Sequence, residues 1–304
     1  MFTISNSYGQ VYVSQNFVDV ISIATQRYVH SKEWMQYMTE VGFMFPGDDS
    51  CRSGLEFPAT FNYTKLNLNL CYEKSADTTR MVFNNMAARL LIQTIRNQYP
   101  STHSELNGTM IPLDVSNGVF EVMKEAVNSG VCDVAIAAVN WAEDRKTQVT
   151  LLCPYAASGA GFIRSEKDNS TISIANEKEM DKNGVIVSVV TKSTYETWAK
   201  SNLKKATIIS YPSFESGWQS ILNQTSHTFL YNSNAIYSRM KELKALKLCS
   251  SCYLKVYGDI TPFSSLITNK ILSSGSVSQI SSWQIQLLNS FSIIFVIFIN
   301  FLIL

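Results

Sequence analysis

The sequence of 304 residues predicts an α/β fold in which two similar lobes face each other across a cleft. Strand and helix patterns alternate along residues 65–139, and the same order returns along residues 184–258. A polar segment, residues 165–183, separates the two blocks. Apolar residues fill the C-terminal stretch 285–304, which predicts a hydrophobic helix after the lobes.

The first block predicts a parallel, doubly wound sheet. Residues 65–72 alternate apolar and polar side chains, which indicates a strand, and residues 77–99 carry apolar residues at helical spacing. Residues 109–115 predict a second strand, and residues 118–130 predict a helix that ends in a glycine. The continuous apolar run 131–139 is typical of a strand covered on both faces. Strand, helix, strand, helix and strand in this order favour parallel pairing.

The second block repeats this plan. Its predicted strands and helices alternate as residues 184–190, 193–203, 206–212, 214–224, 227–233, 235–246 and 252–258. Residues 262–283 predict one or two closing helices, and residues 17–38 predict an early helix. Two similar lobes place the default ligand site in the cleft between them.

The chain therefore divides into four parts. We predict an N-terminal extension, a first lobe in two segments, a second lobe, and a transmembrane or anchor segment: residues 1–60, residues 61–162 with 254–283, residues 163–253, and residues 284–304.

Composition argues against several classes of function. The net charge of +1 and the lack of a basic block give no support for a nucleic-acid partner. The three histidines have no metal-binding spacing, and the sequence has neither a nucleophile elbow nor a phosphate-binding glycine loop. We therefore predict a protein that is not an enzyme and that needs no cofactor.

The C-terminal stretch predicts attachment to a membrane. As a helix, residues 285–304 would span roughly 30 Å, the thickness of a bilayer core. A buried C-terminal helix is the alternative, but apolar side chains all around the helix argue against it. The polar residues 273–276 upstream also fit a lipid-anchor signal, so the mode of attachment stays open.

Cysteines and glycosylation triplets favour an extracellular or luminal location. The six cysteines form an even set, and N-x-S/T triplets occur at Asn62, Asn107, Asn169 and Asn223. The N-terminus lacks the pattern of a signal peptide, which argues the other way. A structural disulfide is the preferred interpretation of Cys249 and Cys252, and Cys132 and Cys153 are compatible with buried thiols.

Three segments carry the most specific motifs of the sequence. The first runs over residues 117–164 and contains "DVAIA", then Arg145, then Pro154-Tyr155; the others are "VVTKSTYETWAKSNL" (189–203) and "VYGDITPFSSLITNKILSSGSVSQISSW" (256–283). In this order they resemble type 2 periplasmic binding proteins of the amino-acid class (solute-binding protein family 3). The same segments are similar to the ligand-binding domain of ionotropic glutamate receptors. The resemblance covers about residues 65–283 and implies the two-lobed type 2 periplasmic-binding-protein fold.

This resemblance assigns roles to the end of the first block. It implies that Arg145 holds the α-carboxylate of a ligand, which suits the fork of a guanidinium. It also implies that Ala138 offers a backbone carbonyl and that Asn140 offers an amide where the family has a hydroxyl. The alternatives are a surface Arg145 paired with a neighbouring acid and an Asn140 that satisfies its own turn.

The second block supplies the opposite side of the cleft. By resemblance, Ser193 and Thr194 at a helix start bind an anion, although Ser193 with Glu196 also fits a capping box. The family usually has a carboxylate for the ligand's ammonium where this chain has Asn232, which puts standard amino-acid binding in doubt. Tyr72 is a candidate aromatic wall, with ordinary packing as the alternative.

The sequence therefore favours a membrane-anchored extracellular binding domain for a small carboxylate or amino-acid-like ligand. The alternative is an interaction protein that kept the fold but lost the ligand, with a membrane protein as a possible partner. A receptor-channel subunit would need pore helices between the lobe segments, and residues 165–183 are short and polar.

Overall fold

The computed structural model describes residues 12–41, 43–46, 51, 54–74, 78–169, 172–249 and 251–272. The strands are β1 (Val13–Ser14), β2 (Asn67–Glu73), β3 (Asn107–Leu113), β4 (Val134–Asn140), β5 (Thr150–Arg164), β6 (Ile186–Val190), β7 (Thr207–Tyr211), β8 (Thr228–Asn232), β9 (Leu254–Ile267) and β10 (Ile271–Leu272). The helices are α1 (Gln15–Val29), α2 (Lys32–Val41), α3 (Thr78–Gln98), α4 (Pro100–His103), α5 (Val119–Ser129), α6 (Glu143–Lys146), α7 (Thr194–Asn202), α8 (Phe214–Leu222) and α9 (Ser233–Leu246). Two 3₁₀ helices, Glu166–Asn169 and Glu177–Met180, connect β5 to β6.

The main sheet is built from two halves with the same plan. Its strand order is β3-β2-β4-β9-β5-β8-β6-β7. In the first half, β2 pairs in parallel with β3 and β4, and β9 lies antiparallel to β4. In the second half, β6 pairs in parallel with β7 and β8, and β5 lies antiparallel to β8. The predicted repeat is thus confirmed, and we call the two halves with their helices lobe one and lobe two.

The long strands β5 and β9 join the lobes. They pair with each other in antiparallel fashion from Thr150 to Ile163, with register shifts along the ladder. Strand β5 also pairs with β8 of lobe two, and β9 also pairs with β4 of lobe one, so the two strands connect the halves of the sheet. The chain therefore crosses between the lobes at the centre of the sheet, beside the cleft.

Local sequence explains the elements that border this cleft. Strand β4 is almost entirely buried, as expected for a strand covered on both faces. Helix α5 buries Phe120, Met123, Ala126 and Val127, which fall on one helical face. It ends at Gly130, whose φ of 81° is the left-handed conformation that favours glycine at a helix C-terminus.

Each lobe has its own core, and the N-terminal helices share the core of lobe one. Phe17 and Ile21 of α1 lie in one apolar cluster with Leu70 of β2. Trp34 of α2 is fully buried, and its Nε1 donates to the carbonyl oxygen of Tyr155 at 3.0 Å. The sequence analysis assigns residues 1–60 to a separate N-terminal extension. In the structure, α1 and α2 of this segment pack into the core of lobe one.

Two predictions of secondary structure are corrected. The early helix predicted over residues 17–38 is two helices, which are separated at His30 and Ser31. The segment from Pro262 was predicted to be helical, but β9 continues to Ile267. Its position between β4 and β5 gives its backbone hydrogen-bonding partners on both sides, and this pairing overrides a weak local preference. The rest of that predicted segment beyond Leu272, including Trp283, lies outside the described residues.

The cysteines form three disulfides. The pairs are Cys51–Cys153, Cys71–Cys132 and Cys249–Cys252. The interpretation of Cys132 and Cys153 as buried thiols is therefore wrong, because each lies beside a partner that the sequence pattern did not identify. Cys51–Cys153 attaches the N-terminal segment to β5, and Cys71–Cys132 connects β2 to the turn before β4.

The structure describes only some of the features from which the sequence predicts an exterior, membrane-bound protein. Across the described ranges, no helix combines the length and apolarity needed to cross a bilayer. The predicted membrane segment, residues 284–304, lies outside those ranges. Asn62, Asn107 and Asn223 are exposed, while the side chain of Asn169 is not among those described.

Candidate ligand-binding cleft

A cavity lies where the lobes meet, at the ends of several strands. Its walls include the ends of β2, β4 and β8 together with the starts of α5 and α7. It occupies about 500 Å³, including space open to solvent, and we call it the inner chamber. In open α/β sheets, ligands usually bind beyond the ends of the strands, at the place where the strand order reverses.

Arg145 lines the inner chamber and is 8% exposed. It lies in the single turn of α6, just after β4 ends, so the surface alternative does not hold. Its Nη1 donates to the Asn140 carbonyl at 3.1 Å, and its guanidinium lies 4.5 Å from the ring centre of Phe120. These two contacts fix the side chain against lobe one.

The charge of Arg145 is poorly compensated by the protein around it. Glu143, a candidate partner, pairs instead with Lys146 at 2.5 Å. Among the described residues, Arg145 makes no ion pair within 4 Å. Burial lowers the pKa of Arg145, and the negative charges of Asp144 and Glu121 oppose that shift. A guanidinium stays charged at neutral pH in spite of such a shift, so the chamber contains a buried cation.

The end of β4 has an unusual backbone. Ala138 has a φ of +48°, a left-handed conformation that costs energy for a residue with a Cβ. Its N–H donates to the hydroxyl oxygen of Tyr155 at 2.7 Å, which holds this conformation in place. Ala138 lines the inner chamber, and the offer of its backbone carbonyl to a ligand stays a prediction.

A hydrogen bond crosses the cleft beside Arg145. Asn140 of β4 donates from Nδ2 to Oγ1 of Thr194, the first residue of α7, at 3.0 Å. The side chain of Asn140 therefore bonds to the opposite lobe rather than to its own turn. This contact brings the start of α7 close to the cation of lobe one.

The start of α7 is stabilised by its own side chains. Ser193 Oγ accepts from the N–H of Glu196 at 3.1 Å and donates to the carbonyl of Val190 at 2.6 Å. Glu196 accepts from the N–H of Lys192 at 2.6 Å rather than from Ser193, so only half of the predicted capping box forms. The hydroxyl of Ser193 is thus used within the fold. The start of α7 lines the inner chamber, and the positive end of a helix dipole suits an anion.

Asn232 also has a structural role. It is 6% exposed, lines the inner chamber, and accepts the N–H of Ala235 through Oδ1 at 3.0 Å, which caps α9. This bond uses one of the two lone pairs of the amide oxygen. The amide is also neutral, so Asn232 cannot balance the charge of a buried ammonium group as a carboxylate would.

Glu73 was missed by the sequence analysis, which selected its neighbour Tyr72. Successive side chains of a strand point to opposite faces, and on β2 it is Glu73 that lines the cleft. Tyr72 is half-buried and lines neither chamber. The aromatic walls of the inner chamber come instead from Phe120, Tyr195 and Tyr231. Glu73 is 3% exposed, so the cleft has a buried acid as well as a buried cation.

A second cavity lies beside the first and is lined by residues of the same two lobes. We call it the outer chamber, and it occupies about 670 Å³, including space open to solvent. Glu73 and Tyr231 line both chambers, so the two spaces adjoin at these side chains.

The described residues of the cleft include no cluster of metal-binding side chains. In the described part of the chain, no group of three or more His, Cys, Asp or Glu side chains could hold a metal ion. His103 and His227 are buried elsewhere, where His103 contacts the Tyr63 carbonyl and His227 accepts the N–H of Ile186.

Several solved structures of binding proteins have a fold similar to that of this chain. An ancestral arginine-binding protein bound to arginine has a TM-score of 0.53 at 18% identity, over 68% of this chain and 86% of that chain. An ancestral arginine-binding protein bound to glutamine has a TM-score of 0.51 at 17% identity over the same shares. The ancestral amino acid-binding protein AncCDT-1, a precursor of cyclohexadienyl dehydratase, has a TM-score of 0.50 at 18% identity, over 67% of this chain and 82% of that chain.

These likenesses show that the chain has the two-lobed fold of type 2 periplasmic binding proteins, which confirms that prediction. No protein-family model and no curated protein matches the sequence.

Proposed function

We propose that the chain is a binding domain that closes its two lobes on a small carboxylate, with an amino acid as the best candidate. The observation that carries the proposal is Arg145, a buried cation in the cleft with no ion pair within 4 Å among the described residues. Burying a charge without a partner is costly, and a ligand carboxylate would offset that cost. Two parallel charge-assisted bonds to the guanidinium would also orient the ligand.

The start of α7 supports the same interpretation from lobe two. The bond from Asn140 to Thr194 brings this helix start close to the strand end that holds Arg145. Helix N-terminal N–H groups attract anions through their orientation and the helix dipole. A carboxylate between Arg145 and α7 would contact both lobes, and ligand binding would then favour the closed arrangement.

Glu73 supports an amino acid as the ligand in spite of Asn232. An amino acid also carries an ammonium group, and the neutral amide of Asn232 does not balance that charge. Glu73 is buried and lines the same chamber, so its carboxylate can accept an ammonium group. The solved proteins with this fold include binders of arginine and of glutamine, which supports an amino acid as the ligand.

Calorimetry with the twenty amino acids and simple organic acids tests the proposal. We expect at least one amino acid to bind the wild type and Arg145→Gln to weaken that binding about 30-fold or more, since charge-assisted bonds to a buried partner contribute about 2–5 kcal/mol. Lys146→Gln is the matched control, because Lys146 lies next to Arg145 but is bonded to Glu143 outside the chamber. We expect its affinity to stay within about twofold of the wild type.

Equal affinity of the wild type and Arg145→Gln would rule out the proposed site. Binding of no ligand by a folded wild type, with capture of a specific membrane protein instead, would favour the interaction protein that kept the fold without the ligand.

We also propose that this domain works outside the cell or in a lumen, tethered through residues 285–304. The apolar C-terminal sequence, three disulfides and exposed asparagines at three glycosylation triplets support this placement. In expressing cells we expect the full chain to pellet with membranes and to lose apparent mass on glycosidase treatment. A chain that is recovered without membranes and unaffected by glycosidase would contradict the placement.

A further inference from the structure

The outer chamber bears directly on the kind of ligand. It adjoins the inner chamber at Glu73, where the proposed ammonium site lies, and both chambers share Val119 and Val190 as walls. A ligand whose carboxylate lies at Arg145 and whose ammonium lies at Glu73 would direct its side chain through this junction. The chemistry of the outer chamber therefore indicates the chemistry of that side chain.

The walls of the outer chamber are largely apolar and come from both lobes. Val115 lines it from lobe one, and Pro212, Phe214 and Ala235 line it from lobe two. The ring of Phe214 packs 4.9 Å from the ring of Tyr231, so this side of the chamber is an aromatic surface. An apolar group placed here would lose contact with water on both sides, which is favourable in proportion to its area.

Besides Glu73, the charged groups that line this chamber are one ion pair and one exposed lysine. Arg239 is paired with Glu215, and Lys74 is exposed at the rim. An acidic side chain of a ligand would compete with Glu215 for Arg239, and a basic one would compete with Arg239 for Glu215. The exposed Lys74 would offer an acidic side chain only a solvated ion pair, which contributes little. An uncharged side chain leaves the pair of Arg239 and Glu215 intact.

We infer that the ligand is an amino acid with a bulky, uncharged, apolar side chain, of the class of leucine and phenylalanine. This inference rests on the proposed function and adds the identity of the side chain to it. The carboxylate binds at Arg145, the ammonium binds at Glu73, and the side chain fills the outer chamber.

Calorimetry on the full chain with phenylalanine, leucine, alanine, arginine and glutamate tests the inference. We expect phenylalanine or leucine to bind about tenfold or more tightly than the other three, because only these fill the outer chamber with apolar surface. Two variants reduce that space from opposite lobes, Val115→Trp and Ala235→Leu. We expect each to remove the tenfold preference while the affinity for alanine stays within about threefold of the wild type.

The outcomes separate this inference from the proposed function. If alanine binds in a manner that needs Arg145 but phenylalanine and leucine bind no more tightly, the inference is wrong and the proposed function stands. Tighter binding of arginine or glutamate than of phenylalanine would also overturn it. If none of the five amino acids binds, the inference is wrong, and the proposed function is then decided by the wider panel of amino acids and organic acids. Should one variant fail to fold, the other variant and the ligand panel on the wild type still decide.

Discussion

The hydrogen bond between Asn140 and Thr194 predicts a measurable contribution to closure of the lobes. It joins β4 of lobe one to α7 of lobe two at 3.0 Å, and both side chains are half-buried. A neutral hydrogen bond of this kind contributes about 0.5–1.5 kcal/mol net. Since it can form only when the lobes are close, Asn140→Ala or Thr194→Val should shift the open–closed equilibrium toward the open state by about 2- to 13-fold.

Distances between spin labels on the two lobes provide the assay. Exposed positions Glu125, on α5 of lobe one, and Asn202, at the end of α7 of lobe two, accept labels away from the cleft. Pulsed electron resonance then gives the fractions of open and closed molecules for each variant. We expect the double variant to match either single variant, because both substitutions remove the same bond.

Thr197→Val is the matched control for this cycle. Thr197 lies in the same helix, is exposed, and bonds only weakly to the Ser193 carbonyl at 3.4 Å. We expect this variant to leave the open fraction unchanged. Strictly additive effects of Asn140→Ala and Thr194→Val, with no coupling between them, would refute the reasoning.

Three further predictions concern stability. Ala138→Gly should leave the melting temperature unchanged or raise it, whereas Ala138→Val should lose about 1–3 kcal/mol of unfolding free energy in denaturant titrations, because φ is +48° there. Replacing the pair Cys51 and Cys153 with serine should cost up to about 4.7 kcal/mol in the same titration, since the disulfide closes a loop with a sequence separation of 102; an unchanged midpoint would contradict this. Burial, with help from a nearby lysine, lowers the pKa of His227, and its Nδ1 must be unprotonated to accept the N–H of Ile186. The free energy of unfolding should therefore be constant above pH 6.5, the ordinary histidine pKa, and should fall as the pH drops below it, and a His227→Gln variant should lose that slope.

Much of the fold could be predicted because the elements around the cleft carry strong local signals. The apolar run of β4, the helical face of α5 and the serine cap of α7 each indicate one structure without help from distant residues. The end of β9 could not be predicted in this way. Residues from Pro262 onward form a strand because β4 and β5 lie on either side of them, and that pairing depends on residues more than 90 positions earlier.

Six of the candidate ligand-binding residues selected from the sequence line the inner chamber, although what each binds remains a prediction. They are Arg145, Ala138, Asn140, Ser193, Thr194 and Asn232. Glu73 was missed because the choice between it and Tyr72 depends on which face of β2 meets the cleft. An alternation count along β2 from the buried Leu68 and Leu70 does not decide it, because Cys71 is buried as well, on the opposite face.

A crystal structure of the protein with phenylalanine or alanine bound tests the central claim most directly. We predict that the carboxylate of the amino acid lies between the lobes, with both of its oxygens within about 3 Å of guanidinium nitrogens of Arg145. An amino acid whose carboxylate binds elsewhere, with Arg145 turned away from the cleft or paired to an acid of the protein, would contradict it.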